Sequence, residues 1–553
     1  MTSDQAEPGP AEPTRAPGVT SEPLQSFRKW AITFSVMVVT VMQVLDTSIT
    51  NVALPHMQGS FSASIDEMSW VITSYLAANA VVIPASGWLT SVFGRRRFFL
   101  ICTVTFTASS FLSGIAPNLE FLVAMRILQG LGGGSVIPMA QAIMWEIFPL
   151  EQRGIAMTVW GTGIMMAPIL GPTLGGYIAD NWSWRWIFYI NLPIGILAFF
   201  MISAFLYDAP FHRKPRHVDL IGIVLMVVGF GGLQLMLDLG ERRDWFDSSL
   251  IVALSVLSVI TLIGFVIREL LAAEPILDLT VFEDRNFAVC SLAILIVALG
   301  FNSSLLLVAL YTQQILGYDA WSSGLTLAPG GVGTLIALMI SGRLVSKMDQ
   351  RVMLVAGCAG QAFALWLMTQ VTSTMDFASL AWPRFVQGFS QGFIFVPLQA
   401  LALATVTTER LGNATASYAM LRNIGGSAGV ALATALLARR SQYHQVALSG
   451  HVKIYSPATE ERLREWTAHF AAHGADTFTA GRRAMAMVYR ETVTQAHILA
   501  YADVFWLLLA AYVAVVFLTP FMRRVRAGQG RGGRSPRRGE SEARDHALPA
   551  PAD

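Results

Sequence analysis

The sequence predicts an all-α integral membrane protein of fourteen spans, arranged as two six-helix halves with two helices inserted between them. Three observations lead there: a deficit of charge, a series of apolar segments of bilayer length, and an internal repeat at a constant offset. Of 553 residues, 54% are hydrophobic and only 13% charged, where a soluble chain carries about 25% charged residues. That deficit excludes an ordinary soluble multidomain protein. Basic and acidic residues nearly cancel, 38 against 36, so no nucleic-acid partner is expected. Cys102, Cys290 and Cys358 lie inside apolar runs without ligand spacing. Neither a disulfide framework nor a metal site is indicated, and no cofactor is expected. No Cys/His cluster or activated nucleophile stands out, which argues against an enzyme.

A helix needs roughly 20 mostly apolar residues to cross the hydrocarbon core, because its backbone polar groups must be satisfied within the segment. Residues 1–29 lack such a run and, rich in Pro, Glu, Ser and Thr, read as a disordered cytoplasmic tail. The N-terminal half, 30–207, holds spans near 31–54, 69–90, 98–116, 120–145, 155–178 and 187–206. The region 208–286 holds two more, near 219–238 and 249–268. The C-terminal half, 287–522, holds spans near 288–312, 323–345, 352–371, 379–404, 416–437 and 501–522. Residues 523–553 form a basic tail. The short loops set the orientation. Arg95–Arg97, then Arg213, Lys214 and Arg216, then Arg343, Lys347 and Arg351, and finally the Arg-rich C-terminus fall on one side. The positive-inside rule makes that side, and both termini, cytoplasmic. Arg242 and Arg243 are the exception, on an outer loop with Asp238, Glu241 and Asp244 nearby.

The outer segment 439–500 is polar and far longer than the other loops. Leu463, Trp466 and Phe470 recur there at helical spacing, and a second helix is expected around Ala484–Val493. Such a pair fits either a contact surface for a partner or a small cap on the protein's own membrane domain.

The repeat is specific. Arg126, Gln129 and Gly130 recur as Arg384, Gln387 and Gly388, an offset of 258; Glu151, Gly154 and Ala156 recur as Glu409, Gly412 and Ala414 at the same offset. Gly87 and Leu89 recur as Gly342 and Leu344 at an offset of 255. Parallel duplicated halves with a site between them near the midplane are a transporter plan, which works by rocking one half against the other.

Five motifs carry a family resemblance. They are Leu45-Asp46-Thr47 running to Pro55, Gly87-Trp88-Leu89 through Gly94 to Arg97, and Arg126 through Gly130. To these are added Gly163 to Gly176 and the run from Trp184 to Pro193. In this order and at these intervals they resemble the major facilitator superfamily, specifically its fourteen-span drug:proton antiporter branch (EmrB/QacA-like). The resemblance spans about residues 30–522. It implies a proton-coupled exporter of lipophilic small molecules in the inner membrane. It also implies, through the long outer loop and the run Ala500 to Phe505, a HlyD-family periplasmic adaptor and a TolC-like outer-membrane channel as partners. A single-metabolite, siderophore or antibiotic exporter of the same fold is the rival reading. Ser91 departs from the loop motif, where the family carries an Asp that helps latch the cytoplasmic side.

Asp46 sits midway along the first span, where an ionised carboxylate costs about 2.5–3.5 kcal/mol unless partnered, protonated or wet. It is the expected proton-coupling acid. Arg126, always charged, is placed near the first helix by the resemblance, to bias Asp46 or to brace neighbouring helices. Gly87, Gly94, Arg95, Arg96, Pro168, Gly171, Pro172, Gly175, Gly176, Arg384 and Arg422 are expected to serve packing and gating, since small residues let helices approach closely. Tyr75, Asn79, Gln141, Asn302, Gln313 and Gln399 are polar residues inside apolar spans that could line a substrate cavity or simply bond between helices.

Overall fold

A computed structural model describes residues 26–149, 152–207, 218–452 and 456–524. Most of the N-terminal tail, Glu151, the cluster Arg213, Lys214 and Arg216, and the basic tail from Val525 lie outside these residues. Among the described residues the regular structure is helical, and thirteen helices are long and apolar enough to cross a membrane. The fifth expected span is also a helix, 29 residues long.

In chain order the N-terminal helices are α1 (Ser26–Phe61), α2 (Ile65–Phe93), α3 (Arg95–Gly114), α4 (Leu119–Gly133), α5 (Val136–Ile147), α6 (Arg153–Asn181), α7 (Trp186–Tyr189) and α8 (Asn191–Phe205). The inserted pair is α9 (Leu220–Leu239) and α10 (Ser249–Leu271). Then come α11 (Arg285–Gln314), α12 (Ala320–Leu344), α13 (Gln350–Met368), α14 (Phe377–Leu403), α15 (Leu411–Ser449), α16 (Pro457–Ala472) and α17 (Thr477–Leu518). The fourth span is the α4–α5 pair, interrupted at Gly134–Ser135, and the sixth is α7 with α8. Helix starts are written in the loops. Asp219, Asp284, Asp319, Asp349, Asp376 and Asp476 each accept a backbone N–H of the first turn, and Ser64 with Glu67 forms a capping box. Each cap contributes about 1 kcal/mol.

The packing is duplicated. Helix α1 lies against α6 and α8 as α11 lies against α15 and α17. Helix α4 lies against α2 and α3 as α14 lies against α12 and α13. The halves meet along two seams, α6 with α12 and α2 with α15, and α9 lies over the second of these. There Gln234 donates to Ser427 Oγ at 2.9 Å. One end of the bundle gathers both ends of the described residues. Lys29 donates to Gln152, Arg95 pairs with Glu146, and Arg524 and Arg351 pair with Asp349. We call this the tail face.

The opposite face carries a helical hairpin larger than expected. The polar stretch does contain helices at both anticipated places, but α15 continues unbroken from its span to Ser449, and α17 starts at Thr477 and runs into the last span. Hydropathy falls at Arg439, yet nothing there breaks a helix. The chain turns only near Gly450, and again at Gly474, whose φ of +89° favours glycine. Helix α16 packs on α17, where Arg462 and the Trp466 indole both donate to Glu491.

Candidate functional site: a buried charge pair in the first half

Helix α1 brings Asp46 to the centre of the N-terminal half, where the side chain is 1% exposed. Arg126 of α4, fully buried, donates from Nη1 to Asp46 Oδ2 at 2.7 Å. Gln129, one turn along α4, donates from Nε2 to Asp46 Oδ1 at 2.9 Å. Asn191, the first residue of α8, donates to the same Oδ1 at 2.7 Å and to Ser110 Oγ of α3 at 3.0 Å. Ser110 in turn donates to the Phe188 carbonyl at 2.9 Å. One carboxylate thus ties together α1, α3, α4 and α8.

The guanidinium is held independently of the acid. Its Nε donates to the Val71 carbonyl of α2 at 3.0 Å, and Nη1 also reaches Gln129 Oε1 at 2.7 Å. The Tyr75 ring lies 4.2 Å from the guanidinium carbon, a cation–π contact. Glycine makes this closeness possible: a Cβ on Gly130 would stand 2.5 Å from the Tyr75 carbonyl oxygen. Taking two charges out of water costs several kcal/mol per ion, repaid only by good geometry and further hydrogen bonds. Three donors on Asp46 supply these. Deleting one partner would leave the other charge stranded, at about 3–5 kcal/mol.

The expected packing and gating residues fall into two groups. Along α6, Gly171 and Gly175 lie against Ser48 and Ile49 of α1, within one half, and Gly176 is near Val52; the side chains of Pro168 and Pro172 lie outside the described ones. At the tail face the halves touch. Thr158 of α6 donates to the Leu338 carbonyl of α12 at 2.9 Å, and Gly154 faces Gly342. Gly87 of α2 faces Asn413 of α15. Gly94, at φ +84°, joins α2 to α3. Beside it Arg95 pairs with Glu146 of α5, and Arg96 donates to the Ser203 carbonyl of α8. Ser91 turns its hydroxyl back to the Trp88 carbonyl at 2.7 Å. A cavity of about 190 Å³ opens here, lined by Gly87, Trp88, Arg95, Glu146, Glu409 and Asn413 among others. Arg422 lies 5.8 Å from the Trp160 ring, which stacks on Phe395 across the halves at 5.5 Å.

Of the six candidate cavity residues, Tyr75 and Asn79 lie within hydrogen-bonding reach of each other one turn apart on α2, and the other four lie on α5, α11 and α14. Tyr75 belongs to the Arg126 site. Asn79 is buried beside Gly134. Gln141 and Gln399 are fully buried repeat mates. Asn302 donates to its own helix at the Ala298 carbonyl, and Gln313 is exposed, donating to Ser323 Oγ at 3.2 Å. None of them lines the tail-face cavity. Gln129, Asn191 and Ser110 were not anticipated as site residues, although the first two stand inside the quoted motifs.

The profile of the Major Facilitator Superfamily matches residues 36–430. The chain belongs to that superfamily. It is 34% identical over 502 residues to the multidrug export protein EmrB of Haemophilus influenzae, covering 91% of this chain and 97% of the relative. It is 37% identical over 439 residues to the probable multidrug resistance protein EmrY of Escherichia coli, covering 79% and 86%. Among solved structures, the proton:xylose symporter XylE has the same fold, with a TM-score of 0.56 at 14% identity over 91% of this chain and 97% of that one. With its many apolar helices, this superfamily member is a multi-pass membrane protein.

Proposed function

We propose that this protein exports chemically diverse lipophilic compounds across the inner membrane in exchange for protons, with Asp46 as the proton carrier. The carrying observation is the buried carboxylate bound by Arg126, Gln129 and Asn191. Both protonation states have a home. Ionised, the acid is compensated by Arg126. Protonated, it releases an arginine that keeps the Val71 carbonyl and Gln129 Oε1 as neutral partners. Protonation therefore loosens the link between α1, α4 and α8 and leaves the Arg126 charge with neutral partners alone, a cost that gives the halves a reason to change their packing. The tail face, with both termini, is the cytoplasmic side in this reading. The seams at Gly154–Gly342 and Gly87–Asn413 part when the site opens inward. The 30–207 and 287–522 halves rock about a central cavity, while α9 and α10 ride with the α2–α15 seam. The names of the relatives support multidrug export over a single metabolite.

The test is dye efflux from vesicles with and without an imposed proton gradient. Asp46→Asn at equal abundance should lose the gradient-driven component entirely. Undiminished flux would overturn the assignment.

The hairpin of α15, α16 and α17 supports a further partner reading, docking of a HlyD-family periplasmic adaptor joined to a TolC-like outer-membrane channel. Replacing residues 441–497 by a short linker should leave insertion intact and abolish co-purification with a co-expressed adaptor. Co-purification at the wild-type level would remove this part of the reading.

A further inference from the structure

The C-terminal half contains the counterpart of the Arg126 site, with one substitution that changes its electrostatics. Arg384 and Gln387 of α14 stand where Arg126 and Gln129 stand in α4. Ser304 of α11 lies 258 residues after Asp46, in the same register. The hydrogen bonding follows the register: Gln387 Nε2 donates to Ser304 Oγ at 2.6 Å, as Gln129 donates to Asp46, and Arg384 donates to Gln387 Oε1. The serine, though, is shorter than an aspartate by a carboxylate. Among the described residues no acid pairs with Arg384, which is 3% exposed, and its Nε has no acceptor. The Ser304 hydroxyl proton is likewise donated to no acceptor among them.

A guanidinium does not shed its proton at physiological pH, and an uncompensated buried charge costs several kcal/mol. The first half meets that cost with Asp46. We infer that the Arg384–Gln387–Ser304 cluster binds one monovalent anion, chloride or the carboxylate head of a lipophilic acid, in the place that the Asp46 carboxylate occupies in the other half. The donors for it are the Ser304 O–H and the Nη1 of Arg384, whose second hydrogen is the counterpart of the one Arg126 gives to Asp46. One charge on the protein calls for one on the ligand, and a guanidinium fork suits a small or planar anion. This inference rests on the symmetry of the two sites and not on the proton-carrier reading.

The experiment uses the purified full chain in detergent. Its melting temperature is followed as methanesulfonate is exchanged, at constant ionic strength, for chloride, formate or octanoate, with octanol as a control for the acyl chain. Chloride or formate should raise the wild-type melting temperature saturably, by about 2–5 °C. The rise should vanish in Ser304→Asp, which brings its own carboxylate, and in Arg384→Gln, which removes the charge. A rise with octanoate at far lower concentration than formate, absent with octanol, would mark a lipophilic acid as the source. Saturation by chloride at lower concentration than either carboxylate would mark the inorganic ion. No rise in the wild type with any anion overturns the site. So does an equal rise in whichever of the two variants folds.

Discussion

The two halves solve one packing problem with different chemistry. Around Arg126 the first half supplies a carboxylate from α1 and an amide from α8, so its buried cation is neutralised by the protein itself. Around Arg384 the second half keeps the arginine, the glutamine and the close α12–α14 packing, but offers only a hydroxyl. The arginine–glutamine pair is thus a shared structural element, whereas the acid belongs to one half alone. Duplication supplied two scaffolds, and at this position one carries a carboxylate and the other a hydroxyl.

The sharpest way to break this comparison is to neutralise each arginine in turn. Arg126→Gln strands Asp46 and should cost about 3–5 kcal/mol, together with all gradient-driven transport. Arg384→Gln removes a charge that has no acid beside it and should cost less than half as much in thermal or denaturant unfolding. Equal losses would show that the two sites are electrostatically alike. A smaller effect is expected at the seam. Gly342→Val places bulk against Thr158 and the Gly154 carbonyl, so it should force the tail-face contact apart. Transport should fall severalfold with little loss of folded protein, read by efflux at matched abundance; a variant transporting normally would show that this contact does not control the cycle. The smallest effect concerns the loops. Where the first half has Gly94, the second has Asp349, capping α13 and binding Arg351 and Arg524. The Arg351 hydrogen bond holds the Asp349 carboxyl below its ordinary range. A depressed folded-state value adds stability above the unfolded carboxylate pKa, and that stability is lost as pH falls through the folded value. Asp349→Asn should therefore cost about 1 kcal/mol at neutral pH and nothing in strong acid. A cost independent of pH would assign the effect to the cap alone.

Much of this architecture was legible in the chain. Bilayer-length apolar runs delimit the spans because lipid leaves a helix no alternative, and the 258-residue offset is visible because buried Arg, Gln and Gly tolerate little exchange. Asp46 and Arg126 stood out for the same reason: a charge inside an apolar span needs an explanation. The rest was hidden because it depends on contacts distant in sequence. Asn191 lies 145 residues from Asp46 and follows a helix break, so only the folded arrangement of α8 reveals it as a ligand of the acid. Polarity within a span did not say what the side chain faces: Asn302 spends it on its own helix, and Gln141 is fully buried. Hydropathy marks where an apolar stretch ends and says nothing of where its helix ends, so the continuation of α15 to Ser449 and the start of α17 at Thr477 were not legible.

The position of α9 has a consequence for molecules dissolved in the bilayer. By lying across α2 and reaching Ser427 on α15, it shutters one flank of the bundle. The opposite flank bears Leu170 and Leu174 on α6 and Val332, Ile336 and Met339 on α12, all turned outward. A greasy molecule diffusing sideways in the lipid therefore meets a molecule with one closed side and one bare side, and a two-fold plan acquires a handed approach.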